Sequence, residues 1–379
     1  MKKSLIIWLL LFVLLAGCNL PQSPQKEVPP LKFPNLAPTY TSPPILAADT
    51  PAPEVITATP VTPSPTPARI ALQKLAKWSQ AEAEEAFWYP DSKRFGIVSP
   101  GQLTVHDTVS AKKLWSVTPE GRDGLFQAVS LSSNGNFIIN FNTGPAIYVY
   151  DAKNGEISEK KRWLEGCAGG ALRQSVYLSD GLKHLLTAAQ DPQKASGPIT
   201  IHHWKVAPYG CERVDSVATG RFSALLLSPD ERFLALVTSS GLTGQVTVWN
   251  VSDGQKICTL QGAAAAFHRD GRLAVADMQK ESLVYWRVDS CQVSSELPWG
   301  AYSEPQQMAF TPNGKYLLTF RQGIQVWDAA TAGLLWERNI PEAAAGGLLR
   351  ISPDGRSLLT ISNPGALNAQ IDLWAIGDK

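Results

Sequence analysis

One turn sequence recurs along most of this chain, and a chain that repeats a unit of this size builds its fold by stacking copies of it. The turn follows an apolar run and reads Pro90-Asp91-Ser92, Ser133-Asn134-Gly135, Ser179-Asp180-Gly181, Pro229-Asp230-Glu231, Arg269-Asp270-Gly271, Pro312-Asn313-Gly314 and Pro353-Asp354-Gly355. These seven copies stand 40 to 50 residues apart. Asn-Gly and Asp-Gly suit the positive φ of hairpin turns, because glycine has no Cβ to clash and Asn or Asp bonds its own backbone. Apolar runs follow the turns, as at 137–141, 233–237, 316–320 and 358–361. Each repeat then holds a second predicted strand with an aromatic near its end. His106, Tyr150, Trp204, Trp249, Trp286, Trp327 and Trp374 make one rung per repeat. A further turn and a fourth strand follow, as at 328–333 and 334–339.

Four strands per unit and a period near 44 residues are those of a propeller blade. On these residues the segment 69–379 resembles the WD-repeat propeller superfamily. The expected fold class is therefore all-β, a seven-bladed β-propeller of four-stranded antiparallel blades. An array of β-sandwiches is the competing reading. The match is divergent: literal Trp-Asp occurs only at Trp327-Asp328, and the family's Gly-His pair is missing. The resemblance therefore does not carry over the family's buried His–Asp–Ser network, and apolar packing is expected to hold the blades. Only five residues follow Trp374, too few for a fourth strand in the last blade. The segment 70–80 is expected to supply that strand and close the ring, with a short amphipathic helix over 72–78 as the rival.

Ahead of the repeats the chain changes character twice. Lys2 and Lys3 precede eleven unbroken apolar residues, 5–15. A membrane-spanning helix needs roughly 20, so the run fits the core of a signal peptide. It ends in Leu15-Ala16-Gly17-Cys18, which resembles the lipobox of bacterial lipoproteins. That resemblance implies cleavage after residue 17, a lipid on Cys18, and an extracytoplasmic protein held to a bacterial membrane. Residues 19–68 contain fourteen prolines in 50 positions, with Thr, Ser and Ala filling much of the rest. Such a segment cannot bury enough apolar surface to offset its ordering entropy. Residues 18–68 are expected to be a disordered, polyproline-biased tether.

Chemistry is sparse. The segment 69–379 carries 30 Lys/Arg against 30 Asp/Glu and lacks the basic footprint of a nucleic-acid binder. No G-x-S-x-G, Walker loop, H-E-x-x-H or C-x-x-C occurs, and neither cofactor nor metal is expected. His202 and His203 are adjacent in a strand and point to opposite faces. Asp151, Asn154 and Glu156 faintly suggest a calcium loop but sit where a hairpin turn is due. Cys167, Cys211, Cys258 and Cys291 each fall near the outer strand of successive blades and are read as small, at least partly buried thiols, although export permits disulfides.

Loops carry the remaining signal. Arg122 and Asp123 in 119–124, Asp191 and Lys194 in 190–198, and Trp299, Tyr302 and Glu304 in 298–306 are expected on one face and form the candidate binding face. Arg and aromatics are common interface anchors, although Trp299 could equally pack between blades. The expected function is a membrane-anchored scaffold that binds another envelope or surface protein. The alternative is a lactonase- or quinoprotein-like enzyme with a central-channel site, where Gln127, Gln174 and Gln307 would lie.

Overall fold

A computed structural model describes residues 70–378, apart from 121–123, 142–145, 163–170, 178–183, 192–196, 207–208, 241–242, 300–304 and 344–345. The described residues contain seven four-stranded antiparallel sheets. The first comprises Glu85–Trp88, Arg94–Ser99, Gln102–Asp107 and Lys113–Val117. The second comprises Ala128–Leu131, Phe137–Phe141, Ala146–Asp151 and Ile157–Arg162. The third holds Ala171–Tyr177, His184–Gln190, Pro198–Val206 and Tyr209–Thr219, and the fourth Arg221–Leu227, Phe233–Ser240, Thr243–Asn250 and Lys256–Gln261. The fifth holds Ala264–Phe267, Leu273–Asp277, Ser282–Arg287 and Gln292–Pro298, and the sixth Gln307–Phe310, Tyr316–Phe320, Gly323–Asp328 and Leu334–Asn339. Three strands of the seventh, Gly347–Ile351, Ser357–Ser362 and Gln370–Asp378, are consecutive in sequence. Its fourth is Ile70–Ser79, from the other end of the described chain, paired antiparallel to Gln370–Asp378.

The repeated turns hold themselves together. Ser132, Ser228, Thr311 and Ser352 donate hydroxyl bonds of 2.6–2.8 Å to Asn134, Asp230, Asn313 and Asp354. The same hydroxyls accept the N–H of the first residue of the next strand, at 2.9–3.1 Å. Glycine at 135, 314 and 355 then takes φ of 71° to 73°, which a Cβ would oppose.

Seven apolar clusters fill the spaces between sheets. Each joins two neighbours, and the seventh sheet packs on both the sixth and the first. The aromatic rungs stand at these boundaries. Trp204 packs against Phe141 of the second sheet, with ring centres 5.1 Å apart. Trp374 lies in the cluster that holds Tyr316 and Phe320 of the sixth. His106 stacks between Trp78 and Phe95. These observations are consistent with a propeller in which the aromatic of one blade fills the wedge against the preceding blade.

A second ladder supports three of the tryptophans. The indole N–H groups of Trp204, Trp327 and Trp374 donate to Thr187, Thr319 and Thr360 at 2.8–3.2 Å. Each threonine lies two residues beyond the leucine paired with its tryptophan. The motif is written three times as Leu-Leu-Thr, at 185–187, 317–319 and 358–360. Both partners of each bond lie in the same sheet, so the bond fixes the ring that packs against the neighbouring sheet and does not itself join the blades.

Candidate functional site

Residues of the innermost strands line two concave parts of the described surface. One cavity of about 360 Å³ is lined by Gln127, Gln174 and Gln307 together with Glu84, Glu85 and Arg350. The three glutamines are contributed by or directly precede the first strands of the second, third and sixth sheets, so the topology gathers them from distant parts of the sequence. A second cavity of about 400 Å³ is lined by residues of the repeated turns, Pro90, Ser132, Ser133 and Pro353. The two share Glu85, Gln174 and Arg350.

These shared side chains are engaged with the protein itself. The Arg350 guanidinium pairs with Glu85 at 2.7 Å across the seventh and first sheets. It also donates to Gln307 at 3.4 Å, across the seventh and sixth, and to the Leu349 carbonyl at 2.9 Å. Gln174 donates to the Leu225 carbonyl and accepts the Leu225 N–H, both at 3.0 Å, across the third and fourth. A carboxamide used this way replaces one rung of a strand ladder. The polar lining therefore ties inner strands of neighbouring sheets. Sequence reasoning located the glutamines but missed Arg350 and Glu85, whose pairing joins residues 265 positions apart.

The candidate binding face divides. Arg122, Asp123, Lys194, Tyr302 and Glu304 lie outside the described residues, as do Cys18, the signal segment and the tether. Asp191 is half-buried directly after the strand His184–Gln190. Trp299 is buried, at 3% exposure, and its backbone N–H donates to the Glu281 carbonyl at 2.9 Å. Its ring meets Trp327 edge-on at 5.4 Å, within the cluster between the fifth and sixth sheets. Trp299 is therefore a core residue and not an exposed anchor.

No group of three metal-binding side chains occurs among the described residues. His202 bonds Thr200 at 3.1 Å, and His203 bonds Arg213 at 2.7 Å. Asp151 and Asn154 cap the backbone of their own turn, accepting from Lys153 at 2.7 Å and Glu156 at 3.1 Å. Burial lowers the pKa of both His106 and His202.

No family model matches the chain. The chain is similar to the target of rapamycin complex subunit wat1 of Schizosaccharomyces pombe. The two are 24% identical over 177 residues, 44% of this chain and 54% of that protein. The chain thus spans about half the length of this curated relative. The similarity and the seven four-stranded sheets fit a WD-like propeller.

Proposed function

We propose that this chain is a lipid-anchored extracytoplasmic propeller that acts as a protein-binding scaffold. The observation that carries the scaffold reading is the engagement of the channel side chains with neighbouring sheets of the protein itself. An enzyme using this channel would need convergent groups free to meet a substrate, and Arg350, Glu85 and Gln174 are committed to joining sheets. The relative bears the name of a complex subunit, and the same kind of role, a rigid face within an assembly, is proposed here. The seven sheets are read as a closed ring, supported by the pairing of Ile70–Ser79 with Gln370–Asp378 and by the packing of the seventh sheet on the first. Anchoring is read from Lys2, Lys3, the apolar run and Leu15-Ala16-Gly17-Cys18.

Two measurements test the two halves separately. Cys18→Ser should move the protein from the membrane fraction to the soluble one, and tight membrane association of that variant would sink the lipid anchor. Photo-crosslinkers placed at Arg122, Lys194 and Tyr302 in cells should each trap the same protein. One at Lys113, on an outer strand, should not. An identical product from all four positions, or none from any, would count against a partner on the loop face.

A further inference from the structure

Two thiols from different sheets meet in the structure. Cys258 lies on the outer strand of the fourth sheet, opposite Val248, and is buried. Cys291 lies in the turn between the last two strands of the fifth sheet. Its φ is 51°, and its N–H donates to the Val288 carbonyl at 3.3 Å. It packs against the apolar cluster that contains Cys258, Val248 and Val288. Burial, with the neighbouring Cys291 thiol, pushes the Cys258 thiol up to about 12. Both are free thiols, and no third His, Cys, Asp or Glu joins them among the described residues, so the pair lacks the ligand number of a zinc site.

We propose that Cys258 and Cys291 are a cross-linking site, oxidised to a disulfide that joins the fourth and fifth sheets. The oxidant is a disulfide-class acceptor, either a thiol oxidase of the envelope or a small-molecule disulfide. The compartment rests on the extracytoplasmic reading above, since disulfides persist in oxidising environments. Cys291 is the more exposed of the two and reacts first. Its thiolate attacks one sulfur of the acceptor, forms a mixed disulfide and releases one thiol. Cys258 then loses its proton, attacks the Cys291 sulfur and releases the second thiol. Two electrons and two protons have passed to the acceptor. Because Cys258 is a poor thiolate, the second step is the slow one, and a mixed disulfide on Cys291 should accumulate transiently.

The test uses the full chain isolated from envelopes with free thiols alkylated before any reductant is added. Peptide mapping is expected to show the Cys258 and Cys291 peptides joined, two hydrogen atoms lighter than the reduced pair. The purified reduced protein, incubated with glutathione disulfide, should form the same link. Its Tm should rise on the order of 5 °C. Cys291→Ser, at a half-exposed position, should abolish the rise while leaving the Tm of the reduced protein close to that of the unsubstituted chain. A link that forms with glutathione but is missing from envelope material supports the site and overturns the compartment reading. Alkylation of both thiols under both conditions, or linkage of either to Cys167 or Cys211, overturns the proposal.

Discussion

Rungs of the same ladder differ in what stands behind them. Thr319 accepts the Trp327 indole N–H at 3.1 Å in a fully buried setting. In the fifth sheet Leu273 pairs with Trp286, so the equivalent position is Val275, which carries no acceptor. The Trp286 N–H is buried without a partner. A buried donor left unmade costs about 1–3 kcal/mol. Two opposite substitutions follow. Thr319→Val should destabilise by about 1–2 kcal/mol, because it orphans Trp327 while keeping the volume. Val275→Thr should be neutral or stabilising by up to about 1 kcal/mol, because the new hydroxyl meets an existing donor. Denaturant unfolding of both variants checks the pair, and a destabilisation of similar size in both would show that Val275 packing outweighs the bond.

At the level of strands, every sheet carries the same irregularity. The register between the third strand and the outer strand shifts beside the aromatic rung, at Val105/His106, Val149/Tyr150, His203/Trp204, Val248/Trp249, Tyr285/Trp286 and Val326/Trp327. One extra outer-strand residue bends that strand and adds twist. In the seventh sheet the outer strand is Ile70–Ser79, and its shift falls between Lys74 and Ala76, opposite Trp374 and Leu373. Leu75 is the extra residue and is exposed. This N-terminal segment is therefore built like the other outer strands and is not a helix. Lys74 also pairs with Asp372 at 2.9 Å, whose side chain is only 1% exposed, and lies over Trp374 at 4.5 Å. Lys74→Ala leaves that carboxylate without its cation and should cost about 3 kcal/mol. Removing residues 70–80 should uncover the Gln370–Asp378 edge and give an aggregating protein. Light scattering and thermal melting check this, and a soluble truncated chain with unchanged Tm would contradict it.

Across the molecule, two buried imidazoles and three carboxylates link stability to pH. Burial lowers the pKa of His106 and His202, so the unfolded chain binds more protons than the folded one below the ordinary imidazole value near 6.5. Their contribution is complete above that value and is lost as pH falls toward their folded pKa. Burial alone would raise Asp270, but hydrogen bonds from Arg272 and His268 outweigh it and hold the carboxyl well below its usual range. Asp230 and Asp107 are lowered as well, each by a serine hydroxyl and backbone N–H groups. Their contribution survives to about pH 4 and is lost below it. Melting temperature should therefore decline in two stages, the first below pH 6.5 and the second below about pH 4. His202→Gln should shrink the first stage, and an unchanged pH profile in that variant would exclude His202 as its source.

The repeat length, the turns and the aromatic rungs were legible in the sequence because each rests on local chemistry. Asp-Gly in a turn and an aromatic at a strand end act within a few residues. The glutamines of the inner-strand cavity were found for a related reason: their place follows from counting strands within a repeat. The rest depends on residues distant in the chain. Nothing local marks Arg350 as the partner of Glu85, or Cys291 as the neighbour of Cys258. Trp299 reads as a loop aromatic, yet the fifth and sixth sheets enclose it. The shift beside each rung is equally silent, because an extra residue in an outer strand leaves no pattern until the strand has a partner. The sequence by itself determined how many sheets form and where each turns. The tertiary structure decided which side chains face one another between them, because wedge packing brings together groups hundreds of residues apart.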